Sequence, residues 1–476
     1  MTCQKLQEEL SPIVHFPGSA EYQSRVDVYY ALQQANMQSA CRVSPTSPSE
    51  VSRVVQIAKI NNCPFAVCSG GKMGWAGSSN INEGFVIDMH KLNQIEVFPE
   101  NGVVRLGPGA TWSEVYSALE PLNTTVVGGR ISNVGVGGFL LGGGISWLSF
   151  TKGFCSDSVL NYEVVLSDGT IVNVNKDSNP DLYWALKVGG TNYGIVTRFD
   201  MPAIPLSTVW ASQDIYPVEE SLTLDVLSKW ISHFKQQDRH PKDVRMGMLS
   251  QSNGMGVMIA VNTHLDPSPR EPLTSATPIM HDIATGSLHH VTNKIFGAET
   301  YPPSRTSWST LTIGADEHLI WDIYTRGDDL FKGLQDREGL QWNMLFQAIT
   351  KTFIEGSSGS PIYHSLKNAG DDLILITFIT GWKSAADDQV IEETSDKLVA
   401  WAEAEASRRG LLNDFVYMNY ANKKQHVYER SVTKGDLTRM RNVKERYDST
   451  GTFNRLWRGG FKLPKEEVAE HDSSEL

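Results

Sequence analysis

Apolar positions between residues 41 and 205 come in short blocks, and most blocks end at a glycine or a helix-capping residue. Ser47 and Glu50 flank a proline in the manner of a capping box, and the valines and isoleucine that follow share one side of a helix predicted over 48–61. Uninterrupted apolar blocks bounded by turn residues are typical of buried strands. They predict strands over 64–68, 85–89 and 102–107.

The same pattern of short blocks continues towards residue 205. Thr111 and Glu114 form a second capping box, which predicts a helix ending near residue 120. Residues 162–174 alternate as a β-hairpin around an Asp-Gly turn, a helix is predicted over 179–190, and a strand over 194–201. The first forty residues are polar and helical in character.

The pattern changes after Pro205, where the helices become longer and the glycine-rich loops sparse. Near residue 411 the short blocks return, so both ends of the chain are expected to form one domain with a second domain inserted. The chain is therefore predicted to be α+β, with residues 1–205 and 410–476 forming the first domain and 206–409 the second. The inserted part is predicted to contain helices over 219–236 and 387–408 and strands over 256–264 and 372–382, and only the last ten residues have the composition of a disordered tail.

Composition narrows the class of protein. The 476 residues are 40% hydrophobic and 20% charged, as in globular proteins, and the net charge is −12. An acidic chain argues against nucleic acid or an anionic membrane surface as partner and slightly favours an electroneutral or cationic substrate. The apolar run at 373–380 is too short to span a bilayer.

The five cysteines are irregularly spaced and the N-terminus has no basic segment followed by an apolar one. A disulfide framework and a secretory signal are therefore not expected, and the sequence predicts a cytoplasmic protein with reduced thiols. No spacing of cysteines or histidines predicts a metal site.

Residues 128–144 contain eight glycines in seventeen positions, with apolar residues threaded between them. Glycine is concentrated where the backbone needs positive φ or where something approaches closer than a Cβ allows. A second loop, SGGKMGWAGSSN at 69–80, and a third at 189–194 share this character. Tight turns in a β-rich fold would explain one such loop; three favour a cradle for a large, flat, partly anionic ligand.

Two common phosphate-binding motifs are excluded. A P-loop would need glycine at Ala66 and serine or threonine at Met73, and a dinucleotide fingerprint would need glycine at Leu140. The loops therefore belong to another nucleotide-binding design.

The segments SGGKMGWAG, VRLGPGATW, GGRISNVGVGGFLLGGG, NPDLYWALKVGG and GIVTRF occur in the order found in the vanillyl-alcohol oxidase superfamily. The chain most resembles the berberine-bridge-enzyme-like branch of fungal FAD-linked oxidases, over 40–205 and 411–464, whereas 206–409 matches only in position and length. The resemblance implies a PCMH-type, two-subdomain FAD-binding fold whose inserted domain, an antiparallel sheet backed by helices, covers the substrate.

The resemblance also assigns the FAD contacts. The loop at 69–78 would wrap the pyrophosphate, the segment at 108–110 would line the nucleotide, the glycine run would pass along the ribityl chain and flavin, and the strand at 194–196 would lie on the adenine side. The residues so assigned are Ser69, Gly70, Gly71, Lys72, Met73, Gly77, Ser78, Pro108, Gly109, Ala110, Ile131, Val134, Gly135, Gly138, Leu141, Gly142, Gly143, Gly194 and Val196.

Three positions bear on the chemistry. Lys72 stands where many relatives have the histidine joined to the flavin 8α carbon, and Ile131 stands where many have the cysteine joined to C6. Both departures imply that FAD is bound non-covalently. Val134 corresponds to the family's oxygen gate, where a small side chain leaves access for O₂ and favours an oxidase.

In this branch a tyrosine of an Asn-Tyr pair often takes the substrate proton while hydride passes to flavin N5, which here assigns Asn419 and Tyr420. A phenol with a pKa near 10 needs a neighbouring cation or a second phenol to act as a base. Asn454 stands where the family often has a polar residue near the flavin ring. The pocket candidates in the inserted domain are His264, His289, His290 and His364; the adjacent pair would face opposite sides of a regular strand.

The resemblance predicts an FAD-dependent oxidase of a small organic metabolite in a secondary-metabolite pathway, with O₂ as second substrate, acting as a monomer or homodimer. A non-redox cyclase, pericyclase or dehydratase on the same scaffold remains open, because both covalent tethers are missing. A non-catalytic flavin-binding protein is the third alternative, and no residue pattern favours it.

Overall fold

The computed structural model describes residues 2–295 and 304–465. The expected disorder of the last ten residues lies outside these ranges. The helices before residue 205 are α1 (Thr2–Leu10), α2 (Ala20–Val26), α3 (Leu32–Ala35), α4 (Pro48–Ile60), α5 (Trp112–Leu119), α6 (Val136–Leu141), α7 (Ser149–Lys152) and α8 (Pro180–Leu186). The strands are β1 (Val14–His15), β2 (Arg42–Val43), β3 (Phe65–Cys68), β4 (Phe85–Asp88), β5 (Ile95–Phe98), β6 (Val103–Leu106), β7 (Thr124–Thr125), β8 (Asn161–Val165), β9 (Ile171–Asn175), β10 (Ile195–Pro202) and β11 (Ile204–Pro205).

These strands form two larger sheets of different kinds and one two-stranded sheet, in which β11 pairs with β7. The first has the order β1-β2-β4-β3 and pairs its last three strands in parallel. The second has the order β5-β6-β10-β8-β9 and is antiparallel, with the predicted hairpin as its β8–β9 edge. In that hairpin Gly169 adopts a φ of 89°, which explains the glycine after Asp168.

The two predicted capping boxes differ in detail. Thr111 accepts a hydrogen bond from the Glu114 amide while the Glu114 carboxylate accepts from the Thr111 amide at 2.7 Å, so that box is complete. Ser47 caps α4 in the same way, but the Glu50 carboxylate accepts from the Thr46 amide instead, at 2.6 Å. The helix starts where it was predicted to start. The hydrogen bond to the Glu50 carboxylate comes from the residue before the N-cap, not from the N-cap itself.

The middle of the chain forms one antiparallel sheet of eight strands in the order β15-β12-β14-β13-β17-β18-β16-β19. Its last strand lies past residue 409. The strands are β12 (Val209–Pro217), β13 (Asp243–Ser252), β14 (Met255–His264), β15 (Met280–Gly286), β16 (Arg305–Gly314), β17 (Gln341–Ile349), β18 (Leu373–Trp382) and β19 (Leu412–Asn413). The helices are α9 (Glu220–Phe234), α10 (Leu288–Ile295), α11 (Glu317–Phe331), α12 (Lys351–Gly356), α13 (Tyr363–Lys367) and α14 (Asp388–Arg408).

One face of this sheet packs on helices and the other faces the glycine-rich loops at 69–80 and 128–144. Trp230 of α9 lies against Phe346, and Tyr324 of α11 lies against Trp342, with ring centroids 5.1 and 5.3 Å apart. Successive side chains of a strand point to opposite faces. The neighbours of these aromatic residues along the strands, Gln347 among them, therefore point away from the helices.

The C-terminal segment packs against strand β3 and the loop at Thr191. Phe65 of β3 donates its amide to the Leu456 carbonyl at 2.8 Å, and its own carbonyl accepts from the Arg458 amide at 2.8 Å. Thr191 donates to the Gly459 carbonyl at 3.0 Å. The remaining helices are α15 (Val427–Ser431), α16 (Lys434–Tyr447) and α17 (Thr452–Arg455).

Two expectations are wrong. Cys3 and Cys41 form a disulfide. They lie 38 residues apart in the chain and meet because the N-terminal helix folds back beside β2, a proximity that cysteine spacing does not encode. His289 and His290 lie on helix α10 and not on a strand, so the two-sided strand argument does not apply to them. No helix within the described residues has the length and apolar character needed to cross a membrane.

Candidate active site

A cleft of about 570 Å³ runs along the glycine loops of the first domain. Four of the residues assigned to the cofactor line it, namely Ser69, Gly70, Lys72 and Gly109. The size is within the usual range for a cofactor pocket, roughly 300–1,000 Å³. Sequence reasoning missed several other lining residues, including Arg25, Tyr29, Tyr30, His90 and Thr111.

The two glycine loops touch backbone to backbone. A Cβ on Gly70 would lie 2.5 Å from the Gly135 nitrogen, and a Cβ on Gly135 would lie 2.5 Å from the Gly70 nitrogen. Ser69 fixes the third segment by donating to the Pro108 carbonyl at 2.6 Å. The segments around 69–71, 108–110 and 134–137 therefore converge, and glycine is required where they meet.

Charged groups gather at one end of the cleft. Arg25 pairs with the buried carboxylate of Asp88 at 3.0 Å, and His90 bonds the same carboxylate at 3.0 Å. Burial opposes ionisation of Asp88, but the hydrogen bond from His90 and the charge of Arg25 lower the pKa of Asp88 to about 2. Lys72 reaches the Val28 carbonyl at 3.4 Å. Glycine backbone and cationic side chains together suit a diphosphate.

Glycines further along the run have different neighbours. Gly138 faces open space, since a Cβ there would have no atom within 4 Å, whereas a Cβ on Gly142 would lie 2.0 Å from Asn419 Oδ1. Gly143 adopts a φ of 98°, which side chains rarely tolerate. The loop therefore presents bare backbone at Gly138 and seats Asn419 against Gly142. Both features fit a flavin lying along the run.

Other assigned residues make protein contacts. Gln34 Oε1 accepts from the Gly77 amide at 3.0 Å, and Gln34 Nε2 donates to the Ser78 hydroxyl. These bonds attach this part of the loop to helix α3. A Cβ on Gly194 would lie 2.3 Å from Val164, which explains that glycine by packing between strands β8 and β10. Val196 is buried on β10, and contact of this strand with the adenine stays a prediction.

Tyr420 lies in a short 3₁₀ turn, Met418–Tyr420, beside the groups its chemistry would need. Arg130 Nη2 donates to the Tyr420 hydroxyl at 3.2 Å, and the Tyr417 ring meets the Tyr420 ring edge-on at 4.7 Å. Asn419 donates to the Phe139 carbonyl at 3.0 Å and anchors the turn to the glycine run. Both aids named for a tyrosine base, a cation and a second phenol, are present.

Tyr417 is a buried phenol next to Tyr420. Burial raises the pKa of Tyr417 well above 10, and the neighbouring Tyr420 raises it further, while a hydrogen bond from Asn419 opposes both. Tyr417 therefore stays protonated at neutral pH. Its contribution to Tyr420 is packing and polarity.

Arg130 joins the two domains, and sequence reasoning gave it no role. Its guanidinium donates to Gln347 Oε1 at 2.6 Å and to Met246 Sδ at 3.3 Å, both on the inserted sheet, and lies 5.6 Å from the Trp147 ring. Met246 and Gln347 are direct register partners on β13 and β17. The indication in the sequence is that Arg130 is the one charged residue of the glycine-rich run at 128–144.

Ile131 and Val134, which the resemblance assigns to the C6 tether position and to the oxygen gate, follow this arginine within one tight turn. The Val134 amide donates to the Ile131 carbonyl at 3.3 Å, and the Val134 carbonyl accepts from the Trp112 amide at 3.1 Å. Ile131 carries no nucleophile that could bond to a flavin.

Asn454 is held by Lys444, which also donates to Asn192 at 3.0 Å. Burial lowers the pKa of Lys444 to about 8, against the raising effect of Asp448. Within residues 2–295 and 304–465 no hydrogen bond joins Asn454 to Tyr420. A place for Asn454 near the flavin stays a prediction.

The four candidate histidines have partners outside the Tyr420 region. In the described part of the chain, none of their hydrogen bonds or ion pairs reaches Tyr420 or Arg130, and no group of three metal-ligating side chains occurs there. The partners are Asp243 and Asp266 for His264, Asn293 for His289 and Asp436 for His364, while His290 lies beside Gly286.

Comparison with known proteins agrees with this geometry. Residues 39–175 match the model of the FAD binding domain. The FAD-dependent monooxygenase tpcD of Cochliobolus heterostrophus is 31% identical over 472 residues, covering 95% of this chain and 90% of that protein. The FAD-dependent monooxygenase drtC of Aspergillus calidoustus is 33% identical over 470 residues, covering 95% and 88%.

Two solved structures share the fold. The 6-hydroxy-D-nicotine oxidase of Arthrobacter nicotinovorans superposes with a TM-score of 0.79 at 16% identity, covering 96% of this chain and 100% of that one. Berberine bridge enzyme from Eschscholzia californica superposes with a TM-score of 0.76 at 13% identity, covering 98% and 99%. The predicted α+β fold of FAD-linked oxidases is confirmed.

Proposed function

The chain belongs to the family of FAD-dependent oxidoreductases that includes the fungal FAD-dependent monooxygenases, and from that membership we propose that it oxidises a small organic metabolite of a secondary-metabolite pathway, with O₂ as the final electron acceptor. Bound FAD would supply a two-electron acceptor for the substrate hydride and pass the electrons to O₂. The residues of the chain supply binding, orientation and proton transfer.

The observation that carries the proposal is the Arg130–Tyr420 contact at 3.2 Å, where the glycine run meets the inserted sheet. A cation beside a phenol stabilises the phenolate and favours loss of its proton. Arg130 would stabilise the phenolate form of Tyr420, which would then accept a substrate proton. Gln347 would hold Arg130 in place. The inserted sheet would cover the reacting atoms and exclude water.

The absence of the tethering histidine and cysteine at these two positions supports non-covalent FAD. Lys72 and Ile131 replace the histidine and cysteine of tethered relatives, and the cleft offers shape and hydrogen bonds instead. Acid precipitation of the yellow protein is expected to release all the colour to the supernatant. Colour retained by the pellet would contradict the proposal.

One experiment distinguishes oxidation of the substrate by FAD from a purely structural role for FAD. Anaerobic mixing of the holoenzyme with substrate is expected to bleach the flavin, and admission of air to restore its colour with formation of peroxide. A product of unchanged oxidation state, formed without bleaching, would instead identify the non-redox cyclase, pericyclase or dehydratase.

Monooxygenation is the second candidate, since both relatives compared above are named FAD-dependent monooxygenases. The fate of the oxygen atoms separates it from simple oxidation. Turnover under ¹⁸O₂ leaves the product unlabelled if O₂ only accepts electrons, and labels it if an oxygen atom is inserted. Val134 at the oxygen gate fits either outcome, because both need O₂ at the flavin.

The compartment and the assembly state belong to the same proposal. We expect a monomer or homodimer, which sedimentation of the holoenzyme checks. The Cys3–Cys41 disulfide bears against the expected cytoplasmic location, because disulfides are rare in reducing compartments. Rapid alkylation of the native cell extract, followed by mass spectrometry, distinguishes free thiols at these two positions from a disulfide.

A further inference from the structure

Arg130 is buried, 7% exposed, yet it forms no ion pair with a carboxylate in residues 2–295 and 304–465. Arg42, which is also buried, pairs with Asp88 at 3.0 Å. A desolvated charge without a counter-charge is costly, by several kcal/mol on the order-of-magnitude scale for buried ions. The protein therefore keeps an unneutralised cation at the junction of its two domains.

Further donors around Arg130 lack acceptors. Because Gln347 Oε1 accepts from Arg130, its Nε2 points away, and that nitrogen is buried without a hydrogen-bond partner. The buried indole Nε1 of Trp308 also lacks a partner, and the Trp308 ring lies 5.7 Å from the Tyr420 ring. Buried donors are nearly always satisfied in folded proteins. The unneutralised cation therefore contacts Tyr420, and the two unused donors belong to its neighbours: Gln347 bonds Arg130, and the Trp308 ring lies beside the Tyr420 ring.

These groups come from both domains. Arg130 belongs to the glycine run, whereas Gln347 and Trp308 stand on strands β17 and β16 of the inserted sheet. Trp308 contacts the first domain as well, since a Cβ on Gly74 would lie 2.4 Å from its ring. The donors thus converge on the space between the flavin-binding loops and the sheet that covers them, which is where a substrate would enter.

We propose that the substrate carries an anionic oxygen, a carboxylate or an ionised phenol or enol, and that Arg130 and Gln347 bind this oxygen beside Tyr420. The proposal rests on the proposed function and names its substrate class. A guanidinium presents several N–H groups in one plane and suits such an oxygen. Once Tyr420 has accepted the substrate proton and is neutral, a neutral or cationic substrate, which the net charge of −12 favoured, would leave Arg130 without a counter-charge.

The test is calorimetric titration of the oxidised holoenzyme with acetate, benzoate and 2-naphthoate, each against its amide. At least one carboxylate is expected to bind at least about 30-fold more tightly than its amide, the factor that corresponds to the low end of a lost buried charge contact. Arg130→Met is expected to abolish that preference with FAD content unchanged. Gln347→Glu places a carboxylate beside Arg130 and is expected to abolish it as well, which covers the case in which the arginine variant does not fold.

Arg245→Lys is the matched control. Arg245 is a buried arginine next to Met246 on strand β13, but its guanidinium lies on the helix-facing side and donates to the Glu271 carbonyl at 3.1 Å. This variant is expected to keep the wild-type preference for the carboxylate. Equal binding of carboxylates and amides, or an unchanged preference in both Arg130→Met and Gln347→Glu, overturns the proposal.

The outcome is independent of turnover. Selective carboxylate binding by a holoenzyme whose flavin no substrate reduces would keep the anion site and refute the oxidase. Flavin reduction by neutral substrates, without any preference for carboxylates, would keep the oxidase and refute the anion site.

Discussion

The two walls of the inter-domain site recognise their ligands by different means. The wall of the first domain is made of backbone in close approach, with Gly70 and Gly135 so near that neither tolerates a Cβ. The wall of the inserted domain is made of side chains on a regular sheet, chiefly Met246, Gln347 and Trp308. Backbone recognition requires glycine at fixed positions and leaves a motif, whereas side-chain recognition leaves none. The cofactor site can therefore be predicted from the sequence, whereas the substrate site cannot.

Gly70→Ala is expected to have the largest effect. The new Cβ would lie 2.5 Å from a backbone nitrogen that cannot move without displacing the Gly135 loop. Overpacking of this kind costs about 3 kcal/mol. We expect a lower melting temperature of the apoprotein and loss of bound FAD, measured by thermal denaturation and by flavin absorbance.

Gly138→Ala is the control for that experiment, since Gly138 lies in the same glycine run as Gly135, the contact partner of Gly70, and a Cβ there meets no protein atom within 4 Å. The apoprotein should keep its melting temperature, and a lowered affinity for FAD would then report contact with the cofactor itself. Equal destabilisation by both substitutions would contradict a wall built on backbone contact.

Tyr420→Phe addresses the point where the two walls meet. Removing the hydroxyl that Arg130 contacts is expected to slow anaerobic flavin reduction by about 10²- to 10⁴-fold, the usual contribution of a general base. FAD content and melting temperature should stay close to those of the wild type. Stopped-flow absorbance at the flavin maximum provides the rate, and an unchanged rate would exclude Tyr420 as the base.

Particular residues mark how far the sequence leads. Thr111 and Glu114 predicted their helix and its cap correctly, because capping is decided within four residues. Arg130 was missed because its role depends on a hydrogen bond to Gln347, which lies more than two hundred residues away in the chain. The Cys3–Cys41 disulfide was missed for the same reason. Local backbone chemistry is readable in one sequence, and pairings that only tertiary structure creates are not.

Trp308→Phe probes the side-chain wall alone. Trp308 stands on the face of β16 that meets Tyr420 and Tyr30, so a smaller ring should change substrate contacts and leave the glycine loops intact. A change of one ring in a pocket alters kcat/KM by about 10-fold. Steady-state kinetics with peroxide detection measures it, and FAD affinity should not change.

Trp342→Phe is the matched substitution on the opposite face of the same sheet, where Trp342 packs against Tyr324 and Phe331. It should lower the melting temperature without altering kcat/KM. If both tryptophan variants change only stability, the sheet does not form the substrate wall.

The smallest effect concerns a buried cation beside the third glycine-rich loop, Lys444, which bonds Asn192 and Asn454. Burial lowers its pKa to about 8, below the 10.5 of an exposed lysine. Below pH 8 Lys444 is protonated in both the folded and the unfolded chain, so the full cost of burying its charge lowers the free energy of unfolding. Between pH 8 and 10.5 the unfolded chain binds a proton that the folded chain lacks, so the free energy of unfolding rises with pH.

Lys444→Met removes that titration and is expected to flatten the rise by about 1 kcal/mol between pH 8 and 9. Urea denaturation of the apoprotein at several pH values measures it, and Lys434→Met, at the exposed start of the same helix, should keep the wild-type slope. Burial and the charge of Lys444 both lower the pKa of neighbouring Lys462, so part of the rise above pH 9 should persist. If the free energy of unfolding of Lys444→Met rises with pH as steeply as that of the wild type, Lys444 titrates as an exposed lysine. The polar cluster around Asn454 would then be open to water.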